Sequence, residues 1–339
     1  MASPKHLVLD PNDTRPPTIG HPSAFPSERP NAKATKTHPS KAGNENASIY
    51  FVGTATTIME WEGIRIMTDP NFLHNGDHVH LGPGVGSVRR TNPAVDLDKL
   101  PRIDAVLLSH YHGDHFDQKV EASLRRDLPI ITTPHARSAL TSKGPESFTA
   151  VYDLAPFQEM NVDIKGDADM RKRPSLRVTG TPGKHVPPTK PPDELKELFH
   201  AVPPTNGWML EFGYTTDNGT FASGYCIYIT GDTLLVDEVK EIPQRFPDKH
   251  IDLMLAHLGG TTLPSPSAPV TVMVTMDAKQ GVELMRCIRP DVTLPIHNDD
   301  YEVFVSSLED FRNEVEQAGL QGGVVYLDRG EEYRFRVKG

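Results

Sequence analysis

The run Ser109-His110-Tyr111-His112-Gly113-Asp114-His115 puts three histidines and an aspartate into one turn, directly after the apolar stretch Ala105-Val106-Leu107-Leu108. A buried strand ending in such a cluster narrows the possible folds sharply. Crowded imidazoles desolvate one another and repel when protonated, and a bound divalent cation relieves both costs. In an extended backbone alternate side chains point the same way, so His110 and His112 share a face. Gly113 permits a sharp turn, after which Asp114 and His115 arrive from a new direction. One ion can take the first pair and a second ion the other, each completed by residues from elsewhere in the chain.

Three later segments each bring a metal-ligating residue type to the end of an apolar run. Leu176-Arg177-Val178-Thr179 passes through a Gly/Pro turn to Lys184-His185. Tyr225-Cys226-Ile227-Tyr228-Ile229-Thr230-Gly231 ends in Asp232, and Val292-Thr293-Leu294-Pro295-Ile296 ends in His297. A single such residue after a strand is ordinarily a cap or turn residue. The set gains its weight from a shared position at strand ends.

In this order the motifs resemble those of the metallo-β-lactamase superfamily: His-x-His-x-Asp-His, Gly-Lys-His185, Thr-Gly-Asp232 and Pro-Ile-His297. The resemblance runs from about Ser48 to the C-terminal strands. It implies His110, His112 and His185 on one metal, and Asp114, His115 and His297 on a second, with Asp232 bridging. It also implies that Asp69, in Thr68-Asp69-Pro70, orients a ligand from behind. The sequence departs from the family pattern at Lys184-His185-Val186, where many members have a small or hydroxyl residue after the histidine. The cofactor implied is Zn2+, as one or two ions, with Mn2+ or Fe2+ as other occupants of such a set.

The chemistry implied is hydrolysis by a metal-bound hydroxide, since zinc lowers the pKa of its water to about 7. Asp114 and Asp232 would orient the nucleophile, and His257, at the end of the apolar run 251–258, would stabilise an oxyanion or bind substrate. The segment from Leu258-Gly259-Gly260 to His297 looks like the branch with ascorbate-phosphate lactonases and N-acylphosphatidylethanolamine phospholipases. The whole chain also resembles fungal lactamases of the superfamily that open benzoxazolinone-type plant defence compounds. The expected function is therefore opening of a small lactam or lactone, in detoxification, with phosphodiesterase activity as the alternative. A flavodiiron protein is disfavoured, because a glutamate is expected where His112 stands. Tyr111, Phe72, Trp208 and Lys184 are the expected substrate-pocket residues, and Arg89-Arg90 are further cations near the site.

Net charge and composition bear on partners. The chain has a formal charge of −10 and no long basic stripe of the kind that releases counterions from a nucleic acid. Its densest basic run, Met170-Arg171-Lys172-Arg173, reads as a solvated hairpin turn between acidic neighbours. The expected partner is a small molecule, not a nucleic acid, and a homo-oligomer is an open expectation. No apolar stretch approaches the ~20 residues that span a bilayer, and the first residues lack a secretory apolar core. With Cys226 and Cys287 as the two cysteines, both read as buried thiols, the expected compartment is the cytoplasm.

Residues 1–46 are rich in proline, lysine, serine and asparagine without periodicity, and read as a flexible arm. Residues 47–339 read as one hydrolase domain of α/β class. Expected elements include a hairpin of 49–61 with 63–68, a helix over 276–288 capped by Thr275 or Asp277, a helix over 301–318, and a strand at 324–327. With metal residues at strand ends in both halves, the expected architecture is an αβ/βα sandwich of two central mixed sheets.

Overall fold

The computed structural model describes residues 5–20, 25–166 and 172–339. Two mixed sheets face each other. The eight-stranded sheet runs Val151–Asp153, Ile130–Thr132, Ala105–Leu107, Ile64–Thr68, Thr56–Trp61, Ala47–Gly53, Glu332–Phe335, Thr35–Lys36. The seven-stranded sheet runs Lys5–Leu9, Glu159–Ile164, Lys172–Pro182, Asn206–Thr216, Phe221–Ile229, Leu253–His257, Val292–Ile296. Alternation along the strands fills the space between the sheets with Ile49, Trp61, Ile66, Leu107, Trp208, Phe212 and Leu255, all buried.

Helices cover both outer faces, which is why the central strands are buried on both sides. On one face Val106, Leu108 and Ile130 pack with Val120, Ala136 and Leu140, from the helices Gln118–Ser123 and Pro134–Thr141. On the other, Met254 and Ala256 pack with Val282, Met285 and Phe311, from the helices Ala278–Ile288 and Leu308–Ala318. This is the αβ/βα sandwich that the strand-end metal residues lead one to expect.

The parallel strands explain where the site forms. Ile64–Thr68 pairs in parallel with Ala105–Leu107, and Phe221–Ile229, Leu253–His257 and Val292–Ile296 are mutually parallel. Each of these strands hands the chain to a loop at one end of the sandwich. Asp69, His110, Asp232, His257 and His297 all lie there.

Several local expectations change. Thr54-Ala55 breaks the run 49–61 into two antiparallel strands, Ala47–Gly53 and Thr56–Trp61. Asp277 caps the helix Ala278–Ile288 through Gln280 N, leaving Thr275 free for another task. The last long helix starts at Leu308, capped by Ser307 and Asp310, because residues 301–304 pack inward with Leu73, Val79 and Leu263 instead. Residues 324–327 add a single bridge, Thr293–Val324, and no strand. The expected turn at 170–173 lies partly outside the described residues.

The expectation of a flexible arm for residues 1–46 is corrected for its described residues, 5–20 and 25–46. Lys5–Leu9 pairs in parallel with Glu159–Ile164, burying Leu7 and Leu9 between the sheets, and Thr35–Lys36 pairs with Glu332–Phe335. Arg29 adds a contact with Glu60, Nε to Oε2 at 2.8 Å, and stacks over Tyr50. Short edge strands carry too few residues to show a period, so composition alone misses them.

Candidate metal centre

Strand-end residues from both sheets converge in two adjoining groups. His110, His112 and His185 form one; Asp114, His115, Asp232 and His297 form the other. In each group the ligand atoms lie within 4.8 Å of one another. The groups touch through His110 and His115, whose ring centroids are 4.3 Å apart. Asp232 Oδ2 lies 3.3 Å from His115 Nε2 and 3.5 Å from His297 Nε2. Asp114 faces both groups: Oδ1 is 2.7 Å from His112 Nδ1 and Oδ2 is 3.6 Å from His297 Nε2.

The outer nitrogen of each imidazole is engaged, which fixes which nitrogen faces inward. His112 Nε2 donates to Leu81 O at 3.1 Å, His185 Nδ1 to Val274 O at 2.6 Å, and His297 Nδ1 to Leu258 O at 3.0 Å. Ser109 Oγ donates its one proton to Asp69 Oδ2 at 2.9 Å, so it accepts from His110 Nδ1, also at 2.9 Å. Asp69 Oδ2 lies 3.1 Å from His115 Nδ1. The inward atoms His110 Nε2, His115 Nε2 and His297 Nε2 are buried and make no hydrogen bond, while His112 Nδ1 has the Asp114 carboxylate beside it. Buried polar atoms are rarely left so, and imidazole nitrogens and carboxylate oxygens gathered this closely are the donor set of a divalent metal. The residues fit a metal pair.

Charge divides the two groups. Burial pushes His110 well below its ordinary value, with His115 and His185 adding to the effect. Burial also takes His185 down to about 4. In the second group burial opposes ionisation of Asp114 and Asp232, but the facing histidines outweigh it and hold both carboxyls well below the usual range. Burial likewise disfavours charge on His115, yet Asp232, Asp114 and Asp69 raise it well above the ordinary imidazole value.

The outlying candidates separate into real neighbours and core. Asp69 sits behind His115 and also accepts from Ser109 N at 2.6 Å. His257 is fully buried behind Asp232, with Nδ1 3.1 Å from Asp232 Oδ1, so it faces a carboxylate and not a substrate wall. Thr275 Oγ1 donates to Asp232 Oδ2 at 2.9 Å, a partner the sequence suggested only as a helix cap. Tyr111 lines a cleft of about 540 Å³ beside His112, together with Phe116, His80, His135 and Pro203. Its hydroxyl is held by Glu121 and Lys143, each at 2.7 Å.

Phe72 and Trp208 are corrections. Phe72 packs into the outer core with Val120 and Phe148, and Trp208 into the core between the sheets. Both follow a site-bearing segment in sequence but point away from it. Lys184 Nζ is exposed and pairs with Glu238 Oε1 at 2.5 Å, away from the cleft. Arg89 is wholly buried, and Arg90 is exposed beside Glu302. His80 and His135 flank the cleft; His74, by contrast, pairs with Asp96 at 2.9 Å. No residue near His135 in sequence signals its place, because the helix Pro134–Thr141 reaches the cleft only through sheet packing.

Comparison with known proteins agrees with this geometry. The beta-lactamase superfamily domain matches residues 65–298, a stretch holding every residue of both groups. The chain belongs to the metallo-β-lactamase superfamily. A protein of Archaeoglobus fulgidus named a UPF0173 metal-dependent hydrolase is 27% identical over 235 residues, covering 69% of this chain and 83% of that protein. A Methanopyrus kandleri protein of the same name is 24% identical over 285 residues, covering 84% and 98%. Among solved structures, an isothiocyanate hydrolase from Delia radicum gut bacteria superimposes with a TM-score of 0.62 at 17% identity, covering 86% of this chain and all (100%) of that one. A metallo hydrolase from Ignicoccus hospitalis gives 0.54 at 21% identity, covering 86% and 99%. These structural likenesses speak to the fold.

Proposed function

We propose that this metal-dependent hydrolase of the metallo-β-lactamase superfamily opens a small, neutral cyclic amide or ester, a lactam before a lactone, with Zn2+ as its metal. The carrying observation is the cleft beside His112. Its walls are Tyr111, Phe116, Pro83 and Pro203, its polar groups are His80, His135, Gln118 and Glu121, and no lysine or arginine among the described residues lines it, Lys143 being engaged by Tyr111 and Glu121 behind the wall. A flat ring fits apolar walls with a few orienting polar groups. A phosphodiester would call for cationic donors near its non-bridging oxygens, where charge builds in the transition state.

His110, His112 and His185 would hold one ion and Asp114, His115 and His297 the other, with Asp232 between them. Bound there, divalent ions supply Lewis acidity and water that is acidic enough to ionise near neutral pH. Asp114, beside His112, would orient an attacking water. His257 and Thr275 hold Asp232 from either side of its carboxylate. Tyr111 orients the substrate ring at the cleft wall. Such a reaction suits detoxification of a xenobiotic lactam.

The test is turnover by the zinc-loaded chain, repeated with Mn2+ and Fe2+, against γ-lactams, lactones and bis(p-nitrophenyl) phosphate. Opening of a lactam or lactone is the expected result. Phosphodiester cleavage ~100-fold faster than every ring opening, about 2.7 kcal/mol in transition-state binding, would overturn it.

A further inference from the structure

Behind the second group lies a buried ion network that the proposed chemistry does not use. Arg89 and Asp300 are both wholly buried, with Arg89 Nη2 2.9 Å from Asp300 Oδ1. Such a pair contributes little net stability, since desolvation offsets its attraction. A structural role in the core is therefore a poor account of it.

Each end of the pair leads to a different residue of the metal group. Arg89 Nη1 donates to Asn71 Oδ1 at 2.9 Å, and Asn71 Nδ2 donates to the backbone carbonyl of Asp114 at 2.8 Å. Asn71 Nδ2 also reaches Tyr301 Oη at 2.7 Å. On the other side, Asp300 Oδ2 accepts from Thr54 N at 2.9 Å, and Thr54 O accepts from His297 N at 2.9 Å. Thr54 at φ +50° and His297 at φ +62° both hold left-handed backbone, which side-chain-bearing residues rarely adopt unless their surroundings impose it. Gly53 lets the guanidinium come this close: a Cβ there would sit 3.1 Å from Arg89 Nη2 and 3.2 Å from Arg329 Nε. Arg329 Nη2 gives Asp300 a second cation at 2.7 Å.

We propose that Arg89 is a positioning residue that, through Asn71 and Asp300, holds Asp114 and His297 in place for one ion of the metal pair. It rests on the two-ion reading of the site. Arg89 touches neither the cleft nor any inward-facing ligand atom. It works by fixing two backbone segments that approach the second group from different sheets. Among the described residues Arg89, Asn71, Thr54 and Asp300 make no hydrogen bond to His110, His112 or His185; the first group meets the network through Asp114, whose Oδ1 lies 2.7 Å from His112 Nδ1.

The experiment uses the full chain, stripped of metal and titrated with Zn2+ by calorimetry, with bound metal counted independently. His112→Ala weakens the first group and leaves the second as the main site; His297→Ala does the reverse. Adding Arg89→Lys, which keeps the charge but loses the fork, weakens Zn2+ binding by ~10–100-fold in the first background. In the His297→Ala background it changes affinity less than about twofold, a site-selective effect that general destabilisation would not give. Equal losses in both backgrounds, or none in either, overturn the proposal. Should Arg89→Lys fail to fold, Asn71→Ser keeps the Arg89–Asp300 pair and is expected to show the same selectivity, with the same contrary outcomes. A wild-type chain that binds only one ion contradicts the two-ion reading, and this proposal with it. The substrate assignment is untouched by either result.

Discussion

The two halves of the candidate metal centre differ in residue type, three histidines against two histidines and two aspartates, and in what backs them. His110, His112 and His185 are neutral at neutral pH or paired only with Asp114, and backbone carbonyls and Ser109 fix their outer nitrogens. His112 is the member that reaches the cleft. The other half is anionic and closed: Asp114, His115, Asp232 and His297 are all buried, and Asp69, His257 and Thr275 stand behind them. One half borders the cleft through His112, and the other gathers buried carboxylates. In the proposed reaction the neutral set, reaching the cleft through His112, would polarise a carbonyl, and the buried carboxylates would help hold a second ion.

Variants can break or sharpen this contrast. Asp232→Ala removes the carboxylate that faces the Nε2 atoms of both His115 and His297 and is expected to lower turnover by more than ~100-fold, beyond the range seen for residues that act through a ligand. Metal analysis should show loss from the closed half first. Asp69→Asn keeps the shape but weakens the acceptor behind His115, so Zn2+ affinity should fall by ~10–100-fold in that half, read by competition with a chelator, with a smaller loss in the other half through Ser109 and His110. His257→Phe should cost ~10-fold through Asp232, with KM unchanged because His257 lies outside the cleft; a KM effect larger than the kcat effect would return it to the substrate wall.

Core and surface substitutions mark the limits of the site. Trp208→Ala is expected to cost about 3–5 kcal/mol of stability in denaturant unfolding while leaving metal stoichiometry in the folded protein intact. Lys184→Ala removes an exposed pair and should change stability by less than about 1 kcal/mol and leave KM unmoved.

Much of the centre was readable from the chain because its residues announce themselves locally. Each candidate ligand follows an apolar run, and strand ends in parallel sheets gather at one end whatever the loops do. What was not readable depends on direction and long-range pairing. Phe72 and Trp208 lie next to site segments, yet alternation turns them into the cores. His257 looked like a substrate contact until its neighbour Asp232, 25 residues away in sequence, appeared at hydrogen-bond distance. Arg89 and Asp300 meet across much of the chain, and no local pattern marks a buried arginine. Lys5–Leu9 shows the same limit at the edge of the sheet: its alternation is too short to separate from the proline-rich stretch that follows. A chain starting at Asn46 should lose stability, since Leu7 and Leu9 each bury a side chain worth roughly 1.5–3 kcal/mol.

Anomalous diffraction at the zinc edge from crystals of the metal-loaded chain tests the two-part centre most directly. Two peaks are predicted, one among His110, His112 and His185 and one among Asp114, His115, Asp232 and His297. A single peak, or zinc at the more exposed His250, Asp252 and Asp291 with none at the strand ends, would contradict the account.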